Sequence, residues 1–336
     1  MNKQETSDRA KALVERIRKS WIPRYRPQSQ STDWGQTLAM YGLLRSLSAS
    51  YDDATYEYLK TWVHFHLNER LYVNYFCGSW SFGMLYPEVA KWYPEMQMQL
   101  DETAERIYDF IIHKSVRNGD GLILHNIDLP NIYIDTVFYA AVPLAKVGSY
   151  LNKPWQEVAQ FQIESHLNIL KNGDKPFYIH CHENASGHRS DGSWARGNGW
   201  VMMTAAELLP LFHETEGRKF KHSFELLAKA IAPLQTQTGL WRTILDDADA
   251  YPESSASAMF LFAYKRAQDL GLSLVDEGLI ERAFNGLAEC VDAEGKFTRT
   301  SEGTWPGTTD YYKARTTGEW WWGTGAYLLA LSEFVI

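Results

Sequence analysis

The stretch Val137-Phe138-Tyr139-Ala140-Ala141-Val142-Pro143-Leu144-Ala145-Lys146-Val147 carries a single charge, Lys146, and is otherwise apolar or small on every side. A helix without a polar face belongs in an interior. Five further segments read in nearly the same way: Leu38 to Leu44, Gly83 to Ala90, Val201 to Phe212, Ala256 to Tyr264 and Thr324 to Leu331. Several open on small residues, as in Trp34-Gly35, Gly197-Asn198-Gly199 and Gly323-Thr324-Gly325, which let neighbouring backbones approach closely.

Between these segments lie one-faced helices. Apolar residues recur at i, i+3, i+4 and i+7 in Ala10, Leu13, Val14 and Ile17, and again in Ile280, Ala283, Phe284, Leu287 and Val291. Similar patterns fall near residues 54–67, 101–113, 155–170 and 218–232. Six outer helices thus alternate with six inner ones, and a helical pair that cannot bury its own faces must stack or close into a ring. The pattern predicts an all-α fold, an (α/α)6 barrel spanning residues 1–336 as a single domain. A doubly wound α/β arrangement is excluded by the lack of a βαβ rhythm or a Gly-rich strand-to-helix turn.

Connections from an inner segment to the next outer helix are short, about 5–9 residues, whereas most returning ones run to about 15–31, beyond ordinary loop lengths. Long loops on a rigid scaffold are where binding and catalysis concentrate. Here they deliver the N-terminal ends of the inner helices, so the site is predicted around Trp34, Ser79, Asp135, His180, Trp194 to Trp200, Glu253 and Trp320 to Trp322.

The 33 Lys+Arg against 41 Asp+Glu give a net charge of −8, which argues against nucleic-acid binding by bulk charge. No apolar run reaches about 18 residues, so no membrane span is expected, and the polar start Met1 to Ala10 lacks a secretory signal core. Cys77, Cys181 and Cys290 are odd in number and far apart, which fits a reducing, cytoplasmic setting. Composition sets no oligomeric state. Aromatic residues make up 14% of the chain. Flat rings suit a sugar-binding cleft, because a pyranose face presents C–H groups to a π surface, although large rings also fill large cores.

Asp135 follows the apolar Tyr133-Ile134 at the mouth end of an inner helix. Burial there raises a carboxyl pKa and suits a general acid, whereas a helix N-cap at the same place would lower it; both readings stand. Trp194-Ala195-Arg196-Gly197-Asn198-Gly199-Trp200 sets a bidentate cation among glycines and rings, either to grip a carboxylate or to pair with a structural acid. His180 and His182 alternate about Cys181 in an extended stretch and share a side. With Glu183 and His188 they suggest zinc by composition, but without recognisable ligand spacing, so no metal is assigned. Glu253 is either a second carboxylate or part of a helix start at Ser254-Ser255, and Trp320-Trp321-Trp322 either closes the cleft or joins the core. No P-loop, GxSxG or HExxH pattern occurs, so no cofactor is expected.

These residues carry a resemblance. Asp33-Trp34-Gly35-Gln36, Tyr133-Ile134-Asp135-Thr136-Val137-Phe138-Tyr139, the Trp194 to Trp200 segment, Gly239-Leu240-Trp241 with Leu245-Asp246-Asp247, and Glu253-Ser254-Ser255-Ala256-Ser257-Ala258-Met259 together look like the unsaturated glucuronyl and rhamnogalacturonyl hydrolases, glycoside hydrolase families 88 and 105, and more like the latter. The resemblance runs nearly end to end. It implies an (α/α)6 barrel that removes a 4,5-unsaturated uronic acid from the non-reducing end of oligosaccharides made by polysaccharide lyases. An acid protonates C4 of the vinyl ether, water adds at C5, and the hemiketal opens to release the aglycone.

By the same resemblance Asp135 is the catalytic acid. Trp194, Arg196 and Trp200 match the motif that lines the substrate pocket, with His180, or alternatively His182, as its histidine; Trp34 and Trp322, at the predicted mouth, are further substrate-binding candidates. One departure stands out: Cys77-Gly78-Ser79-Trp80-Ser81-Phe82-Gly83 has no carboxylate where the family commonly carries a second acidic residue. Competing readings on such a barrel are a sugar epimerase, which needs histidines on several inner helices, an inverting glycosidase, which needs two carboxylates in the cleft, and a carbohydrate-binding protein without turnover.

Overall fold

A computed structural model describes residues 2–69, 71–212 and 217–335. The outer helices are α1 (Lys3–Arg24), α3 (Asp53–Asn68), α5 (Gln97–Asp109), α7 (Gln156–Ile169), α9 (Arg218–Ile231) and α11 (Glu277–Ala288). Between them run α2 (Trp34–Ala49), α6 (Thr136–Leu151), α8 (Ala195–Leu208), α10 (Ser254–Asp269) and α13 (Trp321–Ser332), all buried along most of their length; α12 (Thr309–Lys313) is a single turn in the last long loop.

The second inner element departs from expectation. In place of a helix over Gly83 to Ala90 there is a 3-10 helix, Cys77–Leu85, followed by the short α4 (Glu88–Trp92). Pro87 lacks the N–H that would continue a helix through this point. Gly83 lies so close to α6 that a Cβ would sit 2.8 Å from Pro143 Cβ, so the segment packs as an inner wall even though it is not α-helical.

The inner wall closes on itself. The 3-10 segment packs between α2 and α6, α6 packs on α8, α8 on α10, α10 on α13, and α13 back on α2. The last seam is tight because glycines meet there: a Cβ on Gly325 would lie 2.3 Å from the Leu38 carbonyl oxygen. The outer helices cover this ring, burying α9 residues Phe220, Phe224, Leu227 and Ile231 from a single stripe. The architecture is an (α/α)6 barrel, as the alternation predicts. No described helix is long and apolar enough to cross a membrane.

The two ends differ. Residues 115–135, 170–194, 232–253 and 289–320 carry the chain to inner-helix N-termini at one end, whereas 50–52 and 152–155 suffice for the return at the other. The long loops are stiffened by three antiparallel ribbons: β1 (Ile132–Tyr133) with β2 (Cys181–His182), β3 (Trp241–Arg242) with β4 (Pro252–Glu253), and β5 (Thr300–Ser301) with β6 (Thr317–Gly318). At the short-loop end, Lys146 Nζ lies 2.8 Å from Glu207 Oε2 and donates to Tyr41 Oη at 2.6 Å. Arg45 reaches Glu333 at 2.7 Å and Glu88 at 3.6 Å, and Arg266 reaches Glu333 at 3.5 Å. Every inner element contributes to this charge cluster, with the Lys146–Glu207 pair buried at its centre, and it knits the base of the barrel.

Candidate active site

Strand pairing brings the two most reactive side chains together. Tyr133 lies opposite Cys181 in the first ribbon, and one step further the Ile134 N–H donates to the His180 carbonyl at 2.9 Å. The chain then turns into α6 with Asp135 already in helical geometry (φ −58°, ψ −33°), its carbonyl accepting from Phe138 and Tyr139. Its side chain makes no capping bond. The cap expected as one reading of Asp135 is therefore supplied by its backbone, which leaves the carboxylate free.

That carboxylate points into the mouth of the barrel. Oδ2 lies 3.4 Å from His180 Nε2, an electrostatic contact, and has no hydrogen-bond partner among the described residues. His180 is held from behind: its Nδ1 is 3.2 Å from the Tyr312 hydroxyl, and its ring stacks on Trp194 at 4.0 Å. Burial pushes the Asp135 carboxyl up, but the adjacent His180, with Arg196 further off, outweighs it and holds the group below its ordinary range. The raised value expected from burial alone is thus not realised, because the imidazole overrides desolvation.

Around this pair lies a cleft of about 350 Å³. Trp34 and Tyr139 form one wall, and Phe76, His125 and Tyr133 another; Leu129, Thr304 and Trp305 reach the rim. Trp34 stacks on Trp322 at 4.8 Å, and Trp322 stacks on Trp320 at 5.0 Å, so the tryptophan run supports the wall while Trp322 itself is buried. Trp200 is fully buried beneath Trp34 and Tyr139, and Trp194 lies behind His180. Neither lines the cleft. His182, on the neighbouring strand position, does not line it either, so the cleft receives His180 of the two.

Arg196 follows the second of its two readings, an internal cation beside a structural acid, with Nη1 3.8 Å from Glu253 Oε1, and is not a free fork for a substrate carboxylate. It is 1% exposed, and its guanidinium is consumed internally. Nη1 donates to the Ser301 carbonyl at 3.2 Å, Ser255 Oγ at 3.3 Å and Ser301 Oγ, while Nη2 donates to the Glu302 carbonyl at 2.9 Å and Thr304 Oγ1 at 2.8 Å. Glu253 works beside it, accepting from the N–H groups of Ser255, Ala256 and Ser301 at 2.9, 2.7 and 2.9 Å. Glu253 is therefore the cap of α10 and an anchor for β5, not a second cleft carboxylate. The pair holds residues 301–305 as one side of the cleft.

Where a second acid would be expected, Cys77 and Ser79 are buried, and Ser79 Oγ accepts from the Asn74 N–H at 3.0 Å. Cys77 Sγ instead meets His125 Nδ1 at 3.2 Å, and the same nitrogen lies 3.1 Å from Thr136 Oγ1. Burial drives the His125 imidazole down to about 4, so it is neutral, and it stacks on Tyr133 at 4.3 Å. His125 and the 303–305 wall escaped the sequence reading because they sit in irregular loops, and Tyr133 and Tyr139, though part of the Asp135 motif, are not singled out there as cleft residues. The one available signal was an isolated histidine in Leu124-His125-Asn126, ahead of the Asp135 motif. Among the described residues no group of three His, Cys, Asp or Glu side chains is placed to hold a metal ion.

Residues 7–336 match the sequence profile of Glycosyl Hydrolase Family 88. The unsaturated rhamnogalacturonyl hydrolase YesR of Bacillus subtilis is 29% identical over 287 residues, 81% of this chain and 80% of its own. A possible glycoside hydrolase family 105 member from Salmonella enterica superposes with a TM-score of 0.87 at 22% identity, covering 98% of this chain and 94% of that one. An unsaturated glucuronyl hydrolase of a Bacillus species, described as degrading glycosaminoglycan, superposes with a TM-score of 0.73 at 17% identity, covering 98% and 96%. These likenesses establish the barrel.

Proposed function

The chain belongs to Glycosyl Hydrolase Family 88, and from that premise we propose that it removes a 4,5-unsaturated uronic acid from the non-reducing end of lyase-generated oligosaccharides by hydrating the vinyl ether. The observation that carries this reading is the Asp135 carboxylate, buried in the cleft with Oδ2 unpartnered beside His180. A vinyl ether needs one proton at C4 and one water at C5. A single carboxyl group can give the first and then accept from the second. An inverting glycosidase needs a second carboxylate, and Asp135 is the one that lines this cleft among the described residues.

Without a second anion beside it, the Asp135 carboxyl is pushed up by desolvation but held below its ordinary range by His180 and the more distant Arg196. A bound uronate brings a second negative charge and excludes water. Both effects raise the Asp135 carboxyl and favour its protonated form, which faces C4. Trp34 offers a ring face to the unsaturated sugar. Arg196 and Glu253 act through the 301–305 wall, as positioning residues. The three free, buried cysteines suit the cytoplasm as the place of reaction.

The test is the ultraviolet absorbance of the conjugated double bond, followed while purified protein meets lyase products of pectin, ulvan and glycosaminoglycans. The absorbance falls with at least one of them, and Asp135→Asn abolishes the fall. Persistence across the whole panel contradicts the reading.

A further inference from the structure

We propose that Trp305 is the platform for the sugar next to the uronate, and that it selects an uncharged leaving sugar with an apolar face. This rests on the hydrolase reading and names the part of the cleft that reads the aglycone. The cleft has a depth order given by exposure: the Asp135 side chain is 14% exposed, whereas Leu129 and Trp305 at the rim are 46% and 63% exposed. With the double bond at Asp135, the glycosidic oxygen faces outward and the next ring lies between these rim residues.

Trp305 is mounted in an unusual way. Its indole makes no ring or cation contact among the described residues, yet the backbone on either side is fixed. Arg196 grips Glu302 and Thr304, the Glu302 carboxylate accepts from Thr316 N–H and Oγ1 at 3.2 and 3.0 Å, and the Trp305 N–H donates to Tyr311 Oη at 3.3 Å. A large apolar ring left in water on a held loop, at the mouth of a cleft, matches a binding anchor better than a packing element. Its π face complements the C–H face of a pyranose.

Leu129 across the rim, with Ile127 51% exposed in the same loop, adds apolar surface of the kind a methyl substituent covers. Among the described residues no lysine or arginine lines the cleft, and Arg196 has spent its donors on the protein. The uronate carboxylate has the polar side chains of Asn126, His125, His180 and Thr304 in the lining. A sulfated or carboxylated leaving sugar against Leu129 and Trp305 at the rim would lose hydration without gaining a cation.

The experiment uses three substrates with the same unsaturated uronyl group: its methyl glycoside, its disaccharide with a 6-deoxyhexose, and its disaccharide with a sulfated hexosamine. The kcat/KM preference for the deoxyhexose disaccharide over the methyl glycoside falls roughly tenfold or more in Trp305→Ala and is largely kept in Trp305→Phe. The sulfated disaccharide is at least about tenfold poorer than the deoxyhexose one in the wild type. Equal losses on the methyl glycoside and the disaccharide, or equal turnover of the sulfated and neutral disaccharides, overturn the proposal. If the wild type cleaves none of the three, the hydrolase reading fails. Calorimetric binding of the deoxyhexose disaccharide then decides on Trp305: weaker binding by Trp305→Ala supports the platform, and unchanged binding refutes it.

Discussion

The same inner helices end in two different chemistries. At the base, Lys146, Glu207, Arg45, Glu88, Arg266 and Glu333 come from or just beyond the inner elements and pair with one another, Lys146 and Glu207 buried and the other four half-buried around them. At the mouth, Arg196 is also internal, tied to backbone, hydroxyls and the Glu253 carboxylate at 3.8 Å, whereas Asp135 keeps one oxygen without a hydrogen bond. Buried charges that are paired hold a fold in register, whereas a buried carboxylate facing a cavity has been left for something else to complete. The base closes the barrel and the mouth is open to chemistry.

The sharpest way to break this contrast is to exchange charges at each end. Asp135→Asn lowers kcat by about 10³-fold, in the range for loss of a general acid, while thermal unfolding is little changed. Lys146→Met does the opposite: it strands Glu207 and costs about 3–5 kcal/mol in denaturant unfolding, with kcat/KM preserved in the folded fraction. If Lys146→Met lost activity with stability intact, or Asp135→Asn unfolded the protein, the assignment of the two ends would be reversed.

Arg196 tests the boundary between them. Arg196→Lys cannot reach Ser301, Glu302 and Thr304 together, so it costs about 1.5–3 kcal/mol of stability and loosens the cleft wall. The expected kinetic signature is a rise in KM that exceeds the fall in kcat, measured on a disaccharide. A loss confined to kcat would place Arg196 on the reacting group instead.

The smallest effect concerns acid. Burial pushes the Glu207 carboxyl up, but Lys146, Arg45 and Arg266 bring it from 4.5 down to about 2. A depressed carboxyl contributes stability that is complete above its ordinary value and is lost as pH falls through its folded one. The denaturant midpoint therefore drops from about pH 4.5 toward 2, and this slope flattens in Glu207→Gln. Glu333, which burial holds above its ordinary range, acts in the other direction: it adds stability as pH falls through its folded value, above the window in which the Glu207 contribution is lost.

The barrel was legible because interior helices advertise themselves: α6 and α13 have no polar face, and α9 and α11 have only one apolar stripe. The second inner wall was misplaced because Pro87 interrupts an apolar run whose composition alone suits a helix. Asp135 and His180 were visible from their motifs. Arg196 was visible but its direction was not, since its partners Ser301 and Thr304 lie 105 and 108 residues along the chain. A pattern of glycines and tryptophans marks an arginine as important without saying whether it faces substrate or wall. His125 and Trp305 left no periodic trace, being fixed by loop contacts that only the closed barrel brings together.

Turnover in deuterated water, followed by mass spectrometry and NMR of the released uronate, tests the central claim most directly. The account predicts that the wild type consumes the double bond and places one solvent deuterium at C4, and that Asp135→Asn releases neither labelled sugar nor aglycone. Release of a uronate that keeps its double bond and carries no deuterium at C4, or labelling by Asp135→Asn at the wild-type rate, would contradict it.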